Sequence, residues 1–257
     1  MNYDVDAISS EEYQRCLERF SAGEYAAAER GFRALLDKFP DFPEAWYHLS
    51  LLRSFQKDTH GAEVALREAL ARAPQLAHAH NNLGRLLMDS DRFEEAEMEF
   101  RAAIAYGPSV VEAHYNLGLL LLRANRLVEA EACLSQAISL RPDFAAAYTN
   151  LGALFLCDRR LDQAQRCLIR AIELSPDSAA AHLTLGSALL AADRVGEAIE
   201  RLQCGLRLDP DHVSGRHLMN LALQRAGQQE ETGAPDLGAP SGVPSRRRQY
   251  RRKKERV

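Results

Sequence analysis

The residue types in this chain that carry chemistry are eight histidines, five cysteines, a spaced set of asparagines and a terminal run of arginine and lysine. His78 and His80 are the closest histidine pair, yet two residues apart on a helix they point to different faces, which defeats shared metal coordination. Cys16, Cys133, Cys157, Cys167 and Cys204 are odd in number and form no C-x-x-C pair. Neither a disulfide framework nor a zinc site is expected from them, and buried free thiols are. The sequence contains no phosphate-binding glycine loop, no G-x-S-x-G elbow and no H-E-x-x-H pair. No catalytic residue, metal or cofactor is therefore expected, and the chain reads as non-enzymatic.

The asparagines offer binding chemistry instead. Asn82, Asn116 and Asn150 recur every 34 residues. An asparagine amide supplies one donor group and one acceptor, matching the N–H and C=O of a peptide unit, so a column of them can hold an extended backbone without reading its side chains.

Charge divides the chain. The formal net charge is −4 over 257 residues, but residues 228–257 carry +4 and residues 1–227 carry −8. Between body and tail, residues 228–245 hold three glycines and three prolines with almost no large apolar group, the composition of a disordered linker. Residues 246–257 form a basic tail in which Arg246, Arg247, Arg248, Arg251, Arg252, Lys253 and Lys254 are candidate polyanion contacts, for nucleic acid or an anionic membrane surface. No apolar run approaches the roughly 18 residues of a membrane span. The polar, acidic start lacks the chemistry of a secretory or transit signal, so a cytoplasmic protein is expected.

The elements that position these residues follow from the same 34-residue period. It carries Pro40, Pro74, Pro108, Pro142, Pro176 and Pro210; Gly84, Gly118, Gly152 and Gly186; Ala28, Ala62, Ala96, Ala130, Ala164 and Ala198; and Phe32, Leu66, Phe100, Leu134, Leu168 and Leu202. Within each period the apolar residues fall into two blocks of helical spacing, as in Leu117, Leu120, Leu121 and then Ala130, Leu134, Ala137, Ile138. Gly23, Asp91, Asn125 and Asp193 stand between the blocks, where a left-handed residue ends the first helix. The proline stops the second helix. One such hairpin cannot bury its apolar face alone, so neighbours must stack.

This pattern resembles the tetratricopeptide repeat, whose motif is visible in Trp46-x2-Leu49 and in Leu83-Gly84 with Ala96-x3-Phe100 and Pro108. The resemblance covers 204 residues and places six repeats at 9–42, 43–76, 77–110, 111–144, 145–178 and 179–212, after a lead-in at 1–8. It implies an all-α, right-handed α-solenoid, and residues 213–227 read as a C-terminal capping helix. It also implies that the first helix of each hairpin lines a concave groove, where Asn82, Asn116, Asn150, His48, Tyr47, Tyr115, Arg85 and Arg123 stand at ligand-facing positions. His80, His114 and His182 share the position of Trp46 and Tyr148, which belongs to inter-helix packing.

The asparagine column is similar to the asparagine ladder in the repeat arm of O-linked N-acetylglucosamine transferase, with Asn82, Asn116 and Asn150 as the matching positions. The lysines and asparagine with which related repeats clamp chaperone C-termini are not matched, since Tyr13, Tyr47, Asn81, Tyr115, Thr149 and Leu183 fill the first of those positions. The expected function is a non-enzymatic interaction scaffold that binds an extended peptide or a partner helix in its groove. The alternatives are a substrate-recruiting arm for a separately encoded glycosyl- or other transferase, and an adaptor to nucleic acid or membrane through the tail.

Overall fold

The structure, a computed structural model, describes residues 3–232, with side chains described for residues 11–228. The basic tail and all but the first residues of the expected linker lie outside the described residues. Thirteen α-helices and no strand occur among those described. The fold is an all-α helical-repeat solenoid. It divides into two compact units, of which the first holds α1 (Tyr3–Ser21), α2 (Tyr25–Lys38), α3 (Pro43–Phe55), α4 (Thr59–Arg72), α5 (Ala77–Asp89), α6 (Phe93–Tyr106), α7 (Val111–Arg123) and α8 (Leu127–Leu140). The second holds α9 (Ala145–Cys157), α10 (Leu161–Leu174), α11 (Ala179–Ala191), α12 (Val195–Leu208) and α13 (Val213–Thr232). The helix α13 runs on past residue 227 through Gln228, Gln229, Glu230 and Glu231, all good helix formers. No described helix is long and apolar enough to cross a membrane.

Each first helix ends in the same backbone device. Gly23, Lys57, Asp91, Asn125, Arg159 and Asp193 have φ between 57° and 78°. At each, the left-handed residue donates its N–H three residues back and the next residue donates five back, as Asn125 to Leu122 and Arg126 to Leu121 do at 3.0 and 2.9 Å. This is a Schellman motif, repeated six times. Glycine, asparagine and aspartate suit it; Lys57 and Arg159 are held in it by the surrounding hairpin. A left-handed backbone costs an ordinary L-residue roughly 1–2 kcal/mol, part of which is regained with glycine. Arg159→Gly is accordingly expected to stabilise the protein by about 0.5–1 kcal/mol in urea unfolding, and a loss of stability would contradict the strain.

The core is a repeated contact between one small and one large residue. Phe32, Leu66, Phe100, Leu134, Leu168 and Leu202 are at most 1% exposed, and the alanines four residues before them are fully buried. Opposite them stand Gly84, Gly118, Gly152 and Gly186, where an added Cβ would come within 2.6–2.9 Å of Phe100, Leu134, Leu168 and Leu202 respectively. Ser50, nearly fully buried, takes the glycine's place in the second hairpin and turns its hydroxyl onto the Tyr47 carbonyl at 2.5 Å. Each fully buried leucine or phenylalanine contributes about 1.5–3 kcal/mol, so the register is a main source of hairpin stability. Of the five thiols only Cys16 is buried, and Cys157 is exposed, so the expectation of buried thiols holds for one residue alone. The others sit on helix faces that neighbouring helices cover only partly.

Candidate functional site

Among the helix pairs in close contact, α5 meets α7 in the first unit, and α9 meets α11 and α11 meets α13 in the second, while no two second helices are so joined. These first helices lean toward one another on one side of each unit, and the residues expected to face a ligand are carried on first helices.

Along that side of the first unit runs a seam of hydrogen bonds between residues 35 apart. His48 Nδ1 stands 3.0 Å from Tyr13 Oη and 2.9 Å from the Glu44 carbonyl oxygen. A carbonyl only accepts, so Nδ1 carries the proton and Nε2 is left as an acceptor in the neutral ring. Burial pulls the His48 pKa below its ordinary value and favours that neutral form. Asn82 Nδ2 donates to Tyr47 Oη at 3.3 Å, and Asn116 Nδ2 donates to Asn81 Oδ1 at 3.0 Å. Each of these two amides commits one N–H to the preceding hairpin and keeps its second N–H. Burial raises the pKa of the Tyr47 hydroxyl and pushes that of Tyr13 up to about 12, so both remain neutral hydroxyl groups.

The expected site residues are not arranged alike. Tyr47, His48 and Asn82 are brought together, with the Tyr47 and His48 rings 5.2 Å apart edge to face. Asn116 joins through Asn81, and Tyr115 beside it is half-buried. Asn150, in the second unit, donates to Ala146 O of its own helix at 2.9 Å. Arg85 lies 3.5 Å from Asp89 on its own helix. Arg123 turns to the preceding turn, where its guanidinium sits 4.2 Å from the Phe93 ring centroid and 3.3 Å from Asp91.

Histidines at the packing position are explained by the loops. Trp46 Nε1 donates to Pro40 O at 2.9 Å; His80, His114 and His182 place Nε2 at 2.8, 2.9 and 3.0 Å from the carbonyls of Pro74, Pro108 and Pro176. His80 differs in having Nδ1 2.6 Å from Glu99 as well, so both ring nitrogens face acceptors. Burial pulls its pKa down, but the Glu99 carboxylate and the Pro74 carbonyl outweigh it and hold it above the ordinary 6.5. Its contribution to stability is complete below about 6.5 and is lost as pH rises through the raised folded value. A proton-NMR titration should place the wild-type His80 pKa above 6.5 and show it falling in Glu99→Gln; an unmoved pKa would contradict the pairing.

Two features escaped the sequence reading. Arg92, Arg126 and Arg194 open second helices and staple adjacent hairpins. Arg126 grips Glu129 at 2.6–2.7 Å with one edge and Glu97, on the previous hairpin, at 2.7–2.8 Å with the other. Arg92 does the same with Glu95 and Glu63, and Arg194 with Glu197 and Gln165. Their place in the 34-residue period was available in the sequence, as were the partners three residues ahead and 29 behind. The second feature is a chain of rings at the turn end of the first two hairpins: Tyr25 stacks on Phe55 at 5.2 Å, both meet Phe20, and Phe20 lies 6.0 Å from His48.

Comparisons with known proteins agree with this architecture. No curated protein matches the chain in sequence. Among solved structures, YrrB, described as a tetratricopeptide-repeat protein with an unusual peptide-binding site, is 21% identical, covers 72% of this chain and 96% of its own, and superposes with a TM-score of 0.63. PilF of Pseudomonas aeruginosa, 19% identical, covers 88% of this chain and 99% of its own with a TM-score of 0.72. The type IV pilus biogenesis factor PilW, 21% identical, covers 84% and 98% with a TM-score of 0.68. At these identities the likeness is one of fold. Two family profiles, both described as tetratricopeptide repeat, match residues 13–77, 51–100 and 81–143 in one case and 156–220 in the other. Matched over most of its length by this repeat, and folded in the helical hairpins that the repeat specifies, the chain belongs to the tetratricopeptide repeat family.

Proposed function

We propose that this protein is a non-enzymatic interaction scaffold that receives an extended peptide along the inner faces of its first helices. Proteins of this family are protein-interaction scaffolds, and YrrB is described as having a peptide-binding site. The observation that carries the reading is the seam on the first unit. Tyr47 and Asn81 pin one N–H of Asn82 and of Asn116, so that each amide is held in one orientation before a ligand arrives. Such preorganisation reduces the ordering cost of binding. Adjacent helices lie roughly 10 Å apart and an extended chain advances about 3.3 Å per residue, so successive amides would meet about every third residue of the ligand. Asn150 is the equivalent position on α9 of the second unit.

Peptides selected on an immobilised array, then titrated in solution, provide the test. Hydrogen bonds net about 0.5–1.5 kcal/mol each, so Asn82→Ala, Asn116→Ala and Asn150→Ala combined should weaken binding by at least about tenfold with helical content unchanged. Equal affinity in the triple variant, with preserved circular dichroism, would overturn the reading.

A further inference from the structure

The last described helix is half of a hairpin. In α5, α7, α9 and α11 a glycine faces the second helix of the same hairpin, as Gly84 faces Phe100 and Gly186 faces Leu202, and the equivalent position of α13 is Asn220. Met219 and Leu223 share that face of α13. The equivalents of Leu223 are Leu87, Leu121, Phe155 and Leu189, each at most 5% exposed, whereas Leu223 is 53% exposed. Met219 takes the register of Leu49, Leu83, Leu117, Leu151 and Leu185, all buried, and is itself only half-buried. It borders a groove of about 520 Å³ whose other wall is α12, with Cys204 and Leu206. The helix thus keeps the apolar face of a first helix, yet no second helix follows it among the described residues.

The remaining sequence does not supply one. Residues 233–257 carry three prolines, and their large apolar residues, Leu237, Val243, Tyr250 and Val257, lack the period of an amphipathic helix. Asn220 then selects among outside partners. It stands where glycine lets a leucine or phenylalanine close in, so a helix packed there must accept a polar residue at the centre of the contact. An asparagine amide both donates and accepts, and can therefore pair with an identical amide across a two-fold axis. Charge follows the same symmetry. From 213 to 228 the helix carries Arg216 and Arg225 and no acid, while Glu200, on the α12 wall, has no ion-pair partner among the described residues. A Cβ on Gly215 would lie 3.1 Å from Leu206, so Glu200, six residues before Leu206, stands toward the Leu223 end of the groove. An antiparallel copy of α13 centred on Asn220 brings its Arg216 to that end.

We propose that this protein pairs with a second copy of itself through α13, the two helices lying antiparallel across a two-fold axis at Asn220. Met219 and Leu223 of each copy cover those of the other. The proposal goes beyond the scaffold reading and does not rest on the asparagine seam.

Sedimentation equilibrium of the full chain is the test. A helix of 20 residues is about 30 Å long, which puts the contact at the small end of stable interfaces, and a dissociation constant of about 10 μM or tighter is expected. Leu223→Glu sets two carboxylates in the apolar contact and should weaken pairing at least about tenfold. Leu223 is exposed in the single copy, so this variant folds, and circular dichroism checks that it does. Asn220→Asp and Asn220→Lys should each weaken pairing several-fold, and an equal mixture of the two should form a heterodimer at least as tight as the wild-type dimer, because position 220 meets itself. A monomer at every concentration up to about 200 μM overturns the proposal, as does a dimer that Leu223→Glu leaves intact. A mixture no tighter than either charged variant alone overturns the two-fold contact at Asn220.

Discussion

Phe100→Ala is expected to lower the stability of this protein by about 3–5 kcal/mol, the range for removing a buried aromatic side chain. Phe100 is fully buried, and its ring atoms lie 2.8 Å from where a Cβ on Gly84 would stand. Ala96, one turn back on the same helix, is also fully buried, and its carbonyl oxygen lies 3.2 Å from the same point. Small residues on this side offer no long side chain to fill the vacated space, so the cost is expected within that full range. Phe100→Leu should cost less than half as much, because leucine occupies the same register at Leu66, Leu134, Leu168 and Leu202. Urea unfolding followed by circular dichroism and by fluorescence of Trp46, the single tryptophan, reads both effects. A cost below about 1 kcal/mol for the alanine variant would mean that the register does not carry the hairpin.

Gly152→Ala should also destabilise, although glycine to alanine in the middle of a helix ordinarily gains about 1 kcal/mol. The new methyl would lie 2.6 Å from Leu168 Cγ and 3.3 Å from the Ala164 carbonyl oxygen. The leucine is fully buried and the carbonyl is backbone, so neither can retreat cheaply, and overpacking of this kind costs about 1–3 kcal/mol. A double-mutant cycle isolates the contact. Leu168→Ala alone should cost about 2–5 kcal/mol, and the double variant less than the two single costs together, because the alanine methyl then occupies vacated space. Gly227→Ala in α13 is the control, since nothing lies within 4 Å of its would-be Cβ, and it should stabilise. Additive costs in the cycle, or stabilisation by Gly152→Ala, would show that the glycine is not there for closeness.

Much of the fold was legible because one spacing recurs in several residue types at once. Proline, glycine, alanine and leucine each marked a different mechanical need of the hairpin, and helix starts from Pro43 to Val195 keep the 34-residue step. The left-handed site was legible where its residue suited it, at Gly23, Asp91, Asn125 and Asp193. It was invisible at Lys57 and Arg159, whose side chains announce nothing about φ. The inner face was harder to read. Residue type placed Asn82 and Asn116 correctly on first helices but did not reveal that each spends a donor on a residue 35 positions earlier, because that partner belongs to another repeat. Arg123 shows the same gap. Its position faces a ligand in the family pattern, yet Phe93 and Asp91 on the preceding turn offer a stacking surface and a carboxylate nearer at hand. The arginine staples were missed for a different reason: attention to apolar periodicity passes over a charged residue that repeats as faithfully.

Those staples bear on how such a chain changes length over evolutionary time. Glu63 and Glu97 occupy equivalent places on successive hairpins and receive Arg92 and Arg126 respectively. Excision of residues 64–97 by unequal recombination would bring Glu63 into the place of Glu97, facing Arg126, with no charge orphaned at the join. Duplication of the same stretch would create a new arginine together with its acceptor. A cut that is not a whole number of 34-residue steps strands a guanidinium against the wrong turn, so the ion pairs act as a ruler that lets the gene gain or lose whole hairpins and rejects fractions of one.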